Sequence, residues 1–348
     1  MKRRDLLKSV VALPFLATAV FGKNSMAGKK ILKPKRLSKG DTVGLIAPAS
    51  NVETDEFNRA VQNLEGLGFK VKVGKNARNQ NGFLAGTDKE RLEDLHWAFS
   101  DSEIKAVWCV RGGYGASRLL PSIDYNLIKR NPKILIGYSD ITALHLAIPN
   151  NTGLVTFHGP VASSNYNDYT KNHALDVLMN PTAPYKIELS EFNKTNESFL
   201  YKTEVISKGK AHGRLIGGNL SLLAALAGTP FGLKNIKGKI LFIEDVNEAP
   251  YRVDRMLTQL RQSADLKSLA GIACGIFEDS SARRKTAAEI VPPTQIDVIK
   301  ERLGDLGIPI IYGLSFGHIR EQFTLPIGIE AELDTENAAL TFLENSVV

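Results

Sequence analysis

A regular alternation of short apolar runs with amphipathic helical segments constrains the fold most strongly. Residues 41–48 and 69–73 are strand-like runs, and apolar residues recur at helical spacing between them. Thr87 and Glu90 then predict a capping box at the start of another helix, before strand-like runs at 106–110 and 134–136. Such alternation predicts a doubly wound, mainly parallel sheet with helices on both faces, whose ligands gather at the carboxyl ends of the strands.

The chain length predicts two domains, because 348 residues exceed the size at which a single hydrophobic core usually stops growing. We expect an N-terminal α/β domain over residues 34–165 and a polar connector over 166–209, where helical and strand periodicity fade. A distinct C-terminal α/β domain is expected over 210–348. Its predicted strands are 239–243, 271–277 and 308–312, and helices are expected from Pro250 and after Thr294.

Residues 1–27 are predicted to be a cleaved export signal. Their basic start, with the pair Arg3-Arg4, resembles a twin-arginine signal, and the apolar run 10–21 that follows is too short to span a bilayer. Ser25-Met26-Ala27 offers small residues for cleavage, and no cysteine lies nearby to carry a lipid anchor. The sequence therefore predicts a periplasmic protein without a stable membrane anchor, exported by the twin-arginine or the general secretory route.

Charge and cysteine content argue against several classes of function. The formal net charge is +7, but residues 1–27 carry four of those net charges, and no basic stripe remains after them, so no nucleic-acid partner is expected. Cys109 and Cys274 each lie inside an apolar run, which predicts buried, unpaired thiols. Two cysteines and no His-Glu-x-x-His motif offer no metal-ligand set, so neither a metal nor a cofactor is expected.

Ser139 is the first candidate for chemistry. It follows the run Ile134–Gly137 and precedes a helical segment, as a nucleophile does at a sharp strand-to-helix turn, where the next amide, that of Asp140, faces a developing oxyanion. Ile141 stands where the second glycine of Gly-x-Ser-x-Gly would be. The alternative is that Ser139 only caps the helix.

A serine nucleophile needs a base and an orienting carboxylate. Among the histidines, His318 and His158 lie in glycine-containing loops at strand ends, and His318 is preferred because glycine and a following strand would hold it at a domain edge. Glu244 and Asp245 end an apolar strand, and a buried Glu paired with an imidazole would be stabilised there. The alternative for these acids is capping of the helix that starts at Pro250.

The glycine-rich run 111–115 predicts a cradle of backbone amides, in which Gly112 or Gly113 supplies a second oxyanion donor. Cys109 is a rival nucleophile just before this run, but it falls inside the strand rather than at the turn.

Together these segments resemble the LD-carboxypeptidase family of serine peptidases, which includes murein tetrapeptide carboxypeptidases and self-immunity peptidases against peptidyl-nucleotide antibiotics. The segments that carry the resemblance are 44–50, 111–115, 137–140, 217–220, 242–245 and 317–318. It implies a Ser139–Glu244–His318 triad with oxyanion donors at Gly113 and Asp140, and a homodimer that needs no cofactor. It also implies a murein peptide substrate that loses its terminal D-alanine.

Other functions and details stay open at this point. An amidase acting on a peptidyl-nucleotide would want an exposed aromatic ring, whereas Trp97 and Trp108 are expected in the core. A periplasmic solute-binding protein would share the length and the export signal but would perform no covalent chemistry. The cation that receives the substrate carboxylate is Arg111, Arg252 or Arg320.

Overall fold

The computed structural model describes residues 30–280 and 293–348, so the predicted export signal lies outside the described residues. In the first sheet, β1 to β5 run parallel in the order β2-β1-β3-β4-β5, and β12 pairs antiparallel with the outer side of β5. The strands are β1 (Thr42–Ile46), β2 (Lys70–Val73), β3 (Ile104–Cys109), β4 (Ile134–Gly137), β5 (Thr156–His158) and β12 (Leu325–Ile327).

The second sheet has a parallel centre, β8-β9-β10-β11, and antiparallel strands on both sides of it. β13, β14 and β6 extend it beyond β8, and β7 pairs with β11. Its strands are β6 (Tyr185–Ile187), β7 (Glu204–Ser207), β8 (Lys210–Asn219), β9 (Ile240–Val246), β10 (Gly271–Glu278), β11 (Ile310–Tyr312), β13 (Glu330–Asp334) and β14 (Ala339–Phe342). The predicted α/β class, with a parallel-rich N-terminal sheet and a separate C-terminal domain, is confirmed.

The helices begin where local sequence signals place them. The predicted capping box of Thr87 and Glu90 is present at α2, and Thr294 caps α9 with Asp297. Pro250 is the first residue of α8, where its missing N–H costs no helical hydrogen bond. The helices of the described residues are α1 (Thr54–Gly66), α2 (Asp88–Ser100), α3 (Tyr125–Arg130), α4 (Thr142–Thr152), α5 (Asp168–Leu178), α6 (Glu191–Thr195), α7 (Leu220–Ala225), α8 (Pro250–Ser263) and α9 (Gln295–Leu303).

Residues 166–209, which the sequence suggests are a connector, contribute to the second sheet. They contain β6 and β7, which form the two outer edges of that sheet, together with α5 and α6. Edge strands of three or four residues carry little apolar periodicity because water reaches them, so their sequence is hard to distinguish from a loop. The chain also returns late to the first sheet, because β12 pairs with β5.

Helix α4 joins the two sheets. It follows the turn at Ser139, and the hydroxyl of its first residue, Thr142, accepts a hydrogen bond of 2.9 Å from the backbone amide of Asn219 at the end of β8. Gly218 allows this approach, since a Cβ there would lie 2.5 Å from Thr142 side-chain atoms. Asn219 is in register with Glu244 on β9, so α4 brings the end of the first sheet next to Glu244. Within the described ranges, no helix combines the length and apolar character needed to cross a membrane.

Candidate active site

Ser139 lies at a sharp turn directly after β4. Tyr138 is extended, and Ser139 has a φ of +63°, a left-handed conformation that non-glycine residues rarely adopt and that costs roughly 1–3 kcal/mol. Neither the short 3₁₀ turn that starts at Ser139 nor α4 is capped by a side chain. The structure therefore does not support helix capping as the role of Ser139. Its backbone has the geometry of a nucleophile turn.

The glycine loop packs directly against this turn. A Cβ on Gly112 would lie 2.9 Å from the Ser139 Cβ and 3.2 Å from the Asp140 nitrogen, so only glycine permits this approach. The amides of Gly113 and Asp140 donate to no acceptor among residues 30–280 and 293–348. These are the two predicted oxyanion donors, and both remain free to receive a developing negative charge.

A buried arginine holds the glycine loop in place. The Arg91 guanidinium is 1% exposed and donates to the backbone oxygens of Pro48 (2.6 Å) and Gly115 (2.9 Å), which joins the end of β1 to the loop after β3. The Asp140 carboxylate accepts a 2.7 Å bond from the amide of Ala116. Burial raises the pKa of Asp140 to about 6.

His318 and Glu244 form a close pair at the carboxyl ends of the second sheet's parallel strands. The His318 Nδ1 lies 2.7 Å from the Glu244 Oε2. Glu244 is fully buried on β9, whereas 17% of the His318 side chain is exposed. Gly317 permits the contact because its φ is +116° and a Cβ there would lie 3.1 Å from the Glu244 Cβ.

The electrostatics of this pair favour an ion pair. Burial alone would disfavour the Glu244 carboxylate, but the adjacent His318 prevails and holds the pKa of Glu244 below its ordinary value. Burial likewise disfavours the imidazolium of His318, yet the carboxylate of Glu244 prevails and raises the pKa of His318. The neighbouring Asp245 accepts from the amide and hydroxyl of Ser221 in the first turn of α7, and no side chain caps α8, so the alternative of capping the helix at Pro250 is not supported.

Tyr138 connects the two halves of the site. It is the residue before Ser139, and its ring centroid lies 4.7 Å from that of His318. The turn that carries Ser139 and the loop that carries His318 are therefore in contact across the two sheets. The structure thus places the predicted residues Ser139, Glu244 and His318 in neighbouring segments, although no hydrogen bond joins the Ser139 hydroxyl to His318 among residues 30–280 and 293–348.

The sequence matches the two domain models of one family. The LD-carboxypeptidase N-terminal domain matches residues 43–159, and the LD-carboxypeptidase C-terminal domain matches residues 212–333. A probable murein peptide carboxypeptidase of Bacillus subtilis is 44% identical over 306 residues, which cover 87% of this chain and 92% of that protein. The chain belongs to the LD-carboxypeptidase family.

Further relatives include both a murein carboxypeptidase and a self-immunity protein. The murein tetrapeptide carboxypeptidase of Pseudomonas aeruginosa is 36% identical over 299 residues, covering 84% of this chain and 92% of that protein. The microcin C7 self-immunity protein MccF of Escherichia coli is 30% identical over 334 residues, covering 88% and 94%. A solved structure of a microcin C7 self-immunity protein MccF gives a TM-score of 0.80 at 27% identity over 91% of this chain and 100% of that chain.

This membership makes the protein a serine-type carboxypeptidase, which is a hydrolase. The solute-binding alternative is therefore set aside. The structure also argues against the alternative nucleophile, Cys109, and the alternative base, His158. Cys109 ends β3 in full burial, which raises the pKa of its thiol well above the ordinary value, and Cys274 is likewise buried and unpaired, as predicted. His158 is 1% exposed and does not reach the surface of the site, unlike His318.

Sequence reasoning assigned no role to some residues that shape the site. Ser50 follows β1, and its hydroxyl accepts a 2.9 Å bond from the Tyr114 amide, which fixes the glycine loop. Arg91 lies four residues before Leu95 and eight before Phe99, on the buried face of α2. The position of this arginine in the apolar stripe of the helix was a signal in the sequence that its side chain is buried. The contact between Thr142 and Asn219 left none, because it joins residues 77 positions apart.

Proposed function

We propose that the protein hydrolyses the L,D peptide bond that releases the terminal D-alanine of murein tetrapeptides, through a Ser139–His318–Glu244 triad and an acyl-enzyme. The observation that carries the proposal is the turn at Ser139, with its positive φ and two free amides, in contact through Tyr138 with the His318–Glu244 pair. The relatives named as murein carboxypeptidases support the choice of substrate.

In this mechanism the Ser139 Oγ attacks the carbonyl carbon of the scissile bond, and the Nε2 of His318 takes its proton. The tetrahedral oxyanion is stabilised by the amides of Gly113 and Asp140, at about 3–4 kcal/mol for each donor. Glu244 accepts from the Nδ1–H and stabilises the imidazolium. His318 then protonates the D-alanine amine as the C–N bond breaks, and the same steps with water as the nucleophile hydrolyse the ester.

Arg111 is the candidate that we favour for receiving the substrate carboxylate. It directly precedes Gly112, which contacts the Ser139 turn, and its exposed fraction of 38% leaves it accessible beside its partner Glu56. The Arg320 guanidinium instead lies over the ring of Phe192, 5.1 Å from its centroid. Arg252 lies on α8, where it pairs with Glu248 at 3.6 Å.

The substrate assignment predicts a strict stereochemical preference. Purified enzyme with defined tetrapeptides should release D-alanine from the L,D substrate and little from one that ends in L-alanine, as measured by mass spectrometry. A tetrapeptide amide, which lacks the carboxylate that Arg111 would receive, should be cleaved at least tenfold more slowly, since a charge-assisted contact of roughly 1.5–3 kcal/mol is lost. Preferential release of L-alanine would overturn the assignment.

A second candidate, an amidase acting on a peptidyl-nucleotide, is favoured by a pair of exposed rings. Phe83 and Tyr114 are 61% and 52% exposed and pack edge to face with centroids 5.4 Å apart, next to the oxyanion donor Gly113. The sequence had suggested only Trp97 and Trp108, and Trp108 is fully buried. Exposed rings are the surface on which a base stacks. Cleavage of a peptidyl adenylate with no release from any tetrapeptide would select this function.

We also propose that the enzyme acts in the periplasm, which rests on the paired arginines and short apolar run of residues 1–27. Cell fractionation should find the protein outside the cytoplasm with its N-terminus shortened. The Arg3→Lys/Arg4→Lys variant should stay inside if the route is twin-arginine. Native protein retained in the cytoplasm with an intact N-terminus would refute the signal.

A further inference from the structure

His158 lies directly behind Glu244, on the side opposite His318. It ends β5, where its backbone is in register with Gly137 of β4 and Leu325 of β12. Its side chain is 1% exposed, and its Nε2 lies 3.9 Å from the Oε1 of the fully buried Glu244. The carboxylate is therefore placed between two imidazoles, with one oxygen toward each.

The polar atoms on this side of Glu244 are unsatisfied. The Oε1 of Glu244 and both ring nitrogens of His158 have no hydrogen-bond partner among the described residues, and the side chain of Asn219 lies near enough to Glu244 to help lower the pKa of the carboxylate. A buried polar atom without a hydrogen bond destabilises the fold, so packing alone would favour an apolar ring at this position. Burial lowers the pKa of His158 to about 4, which keeps the ring neutral and leaves one N–H as its only donor.

Aromatic rings that pack against His158 also contact the residues of the site. Its ring contacts Phe242 at a centroid distance of 5.2 Å and Tyr138 at 6.1 Å, and Tyr138 in turn contacts His318. His145 of α4 lies behind it, with centroids 6.3 Å apart, and the His145 Nε2 is 2.8 Å from the backbone oxygen of Gly137. His158 is thus enclosed by elements that also position Ser139 and Glu244.

We propose that His158 is a positioning residue, whose Nε2–H faces the Oε1 of Glu244, helps to keep the carboxylate ionised and holds it toward His318. The inference rests on the triad proposed above. The distance of 3.9 Å is longer than a hydrogen bond. The interaction is therefore the electrostatic attraction between the N–H dipole of His158 and the negative charge of Glu244. Such an attraction is strong where water is excluded, as it is around this buried carboxylate.

Two substitutions separate this role from simple packing. His158→Phe keeps the ring and removes both nitrogens, whereas His158→Gln keeps an amide N–H near the position of Nε2. We expect kcat of His158→Phe to fall about 10- to 100-fold with KM nearly unchanged, because Glu244 would no longer be held toward His318 and a misplacement of about 1 Å can cost about 100-fold in rate. His158→Gln should recover most of this loss.

The pH dependence of kcat/KM should change if His158 acts on the charge of Glu244, and it should not change if His158 only fills space. Asp245 and Glu278 also act on His318, and both are unchanged in these variants. Without His158, Glu244 attracts the His318 proton more strongly, so the acidic limb of kcat/KM should move to higher pH in His158→Phe and return toward the wild-type position in His158→Gln. Labelling of Ser139 by a fluorophosphonate should slow in parallel. Because labelling needs no peptide, it tests His158 even if the murein substrate assignment fails.

His173→Phe is the matched control, since His173 is a partly buried histidine on α5 that packs against Tyr169 and Phe323. It should alter neither the labelling rate nor the acidic limb, whatever it does to the unfolding temperature. A folded His158→Phe with wild-type kcat and acidic limb would overturn the proposal. So would a His158→Gln that is as impaired as His158→Phe.

Discussion

Ser139→Ala should reduce the kcat for D-alanine release by about 10⁶-fold, the loss seen when a triad nucleophile is removed. The acyl-enzyme cannot form without the hydroxyl, and only the oxyanion donors and substrate binding continue to act. The free energy of unfolding should change by less than about 0.5 kcal/mol, because Ser139 is partly exposed and its hydroxyl caps no helix. Mass spectrometry of the product and a thermal melt measure the two effects.

The matched control is Ser122→Ala, which removes an exposed hydroxyl elsewhere in the same domain. It should keep the wild-type rate and still react with a fluorophosphonate, while Ser139→Ala should gain no mass from the probe. A folded Ser139→Ala variant that keeps even a tenth of the wild-type rate would exclude Ser139 as the nucleophile. Modification of another residue by the probe would identify its replacement.

Glu244→Gln should lower kcat by about 10⁴-fold, as expected when the carboxylate that orients a catalytic histidine becomes a neutral amide. The side chain keeps its shape, but it no longer stabilises the imidazolium that forms as Ser139 attacks. It also cannot select the Nδ1–H tautomer of His318 as a carboxylate does.

The same variant makes a prediction about pH. Glu244 raises the pKa of His318, and His318 must be neutral to act as the base, so wild-type activity falls as the pH drops through that raised value. Removing the negative charge lowers the pKa of His318, so the acidic limb of the residual activity should move to lower pH. This is opposite to the shift expected for His158→Phe. An unchanged limb in Glu244→Gln would mean that His318 is not the titrating base.

Local sequence was enough to predict most of the elements near the site. The capping box at Thr87, the helix cap at Thr294 and the strand before Ser139 depend on hydrogen bonds and burial within a few residues of each other, so the local sequence predicts them. The candidates Ser139, Glu244 and His318 stand at predicted strand ends for the same reason. Pattern alone left alternatives for each of them, and the family resemblance supplied their grouping.

The edges of the sheets were not predictable in this way. Residues 166–209 read as a connector because β6 and β7 are short and partly exposed, so neither has a long apolar period. β12 was expected in the C-terminal domain, yet it pairs with β5 of the first sheet. Strand pairing between distant segments depends on which edge is left open once the rest of the sheet has formed, and no local pattern contains that information.

The sequence by itself determined the α/β class, the turn at Ser139 and the strand that buries Glu244, because periodicity, caps and glycines act over short distances. Only the tertiary structure decided that His318, 74 residues after Glu244, meets it at 2.7 Å. It likewise decided that His158 is enclosed behind the carboxylate rather than open to substrate. The contact of α4 with β8, which brings the two sheets together at the site, is likewise a long-range contact that no local pattern contains.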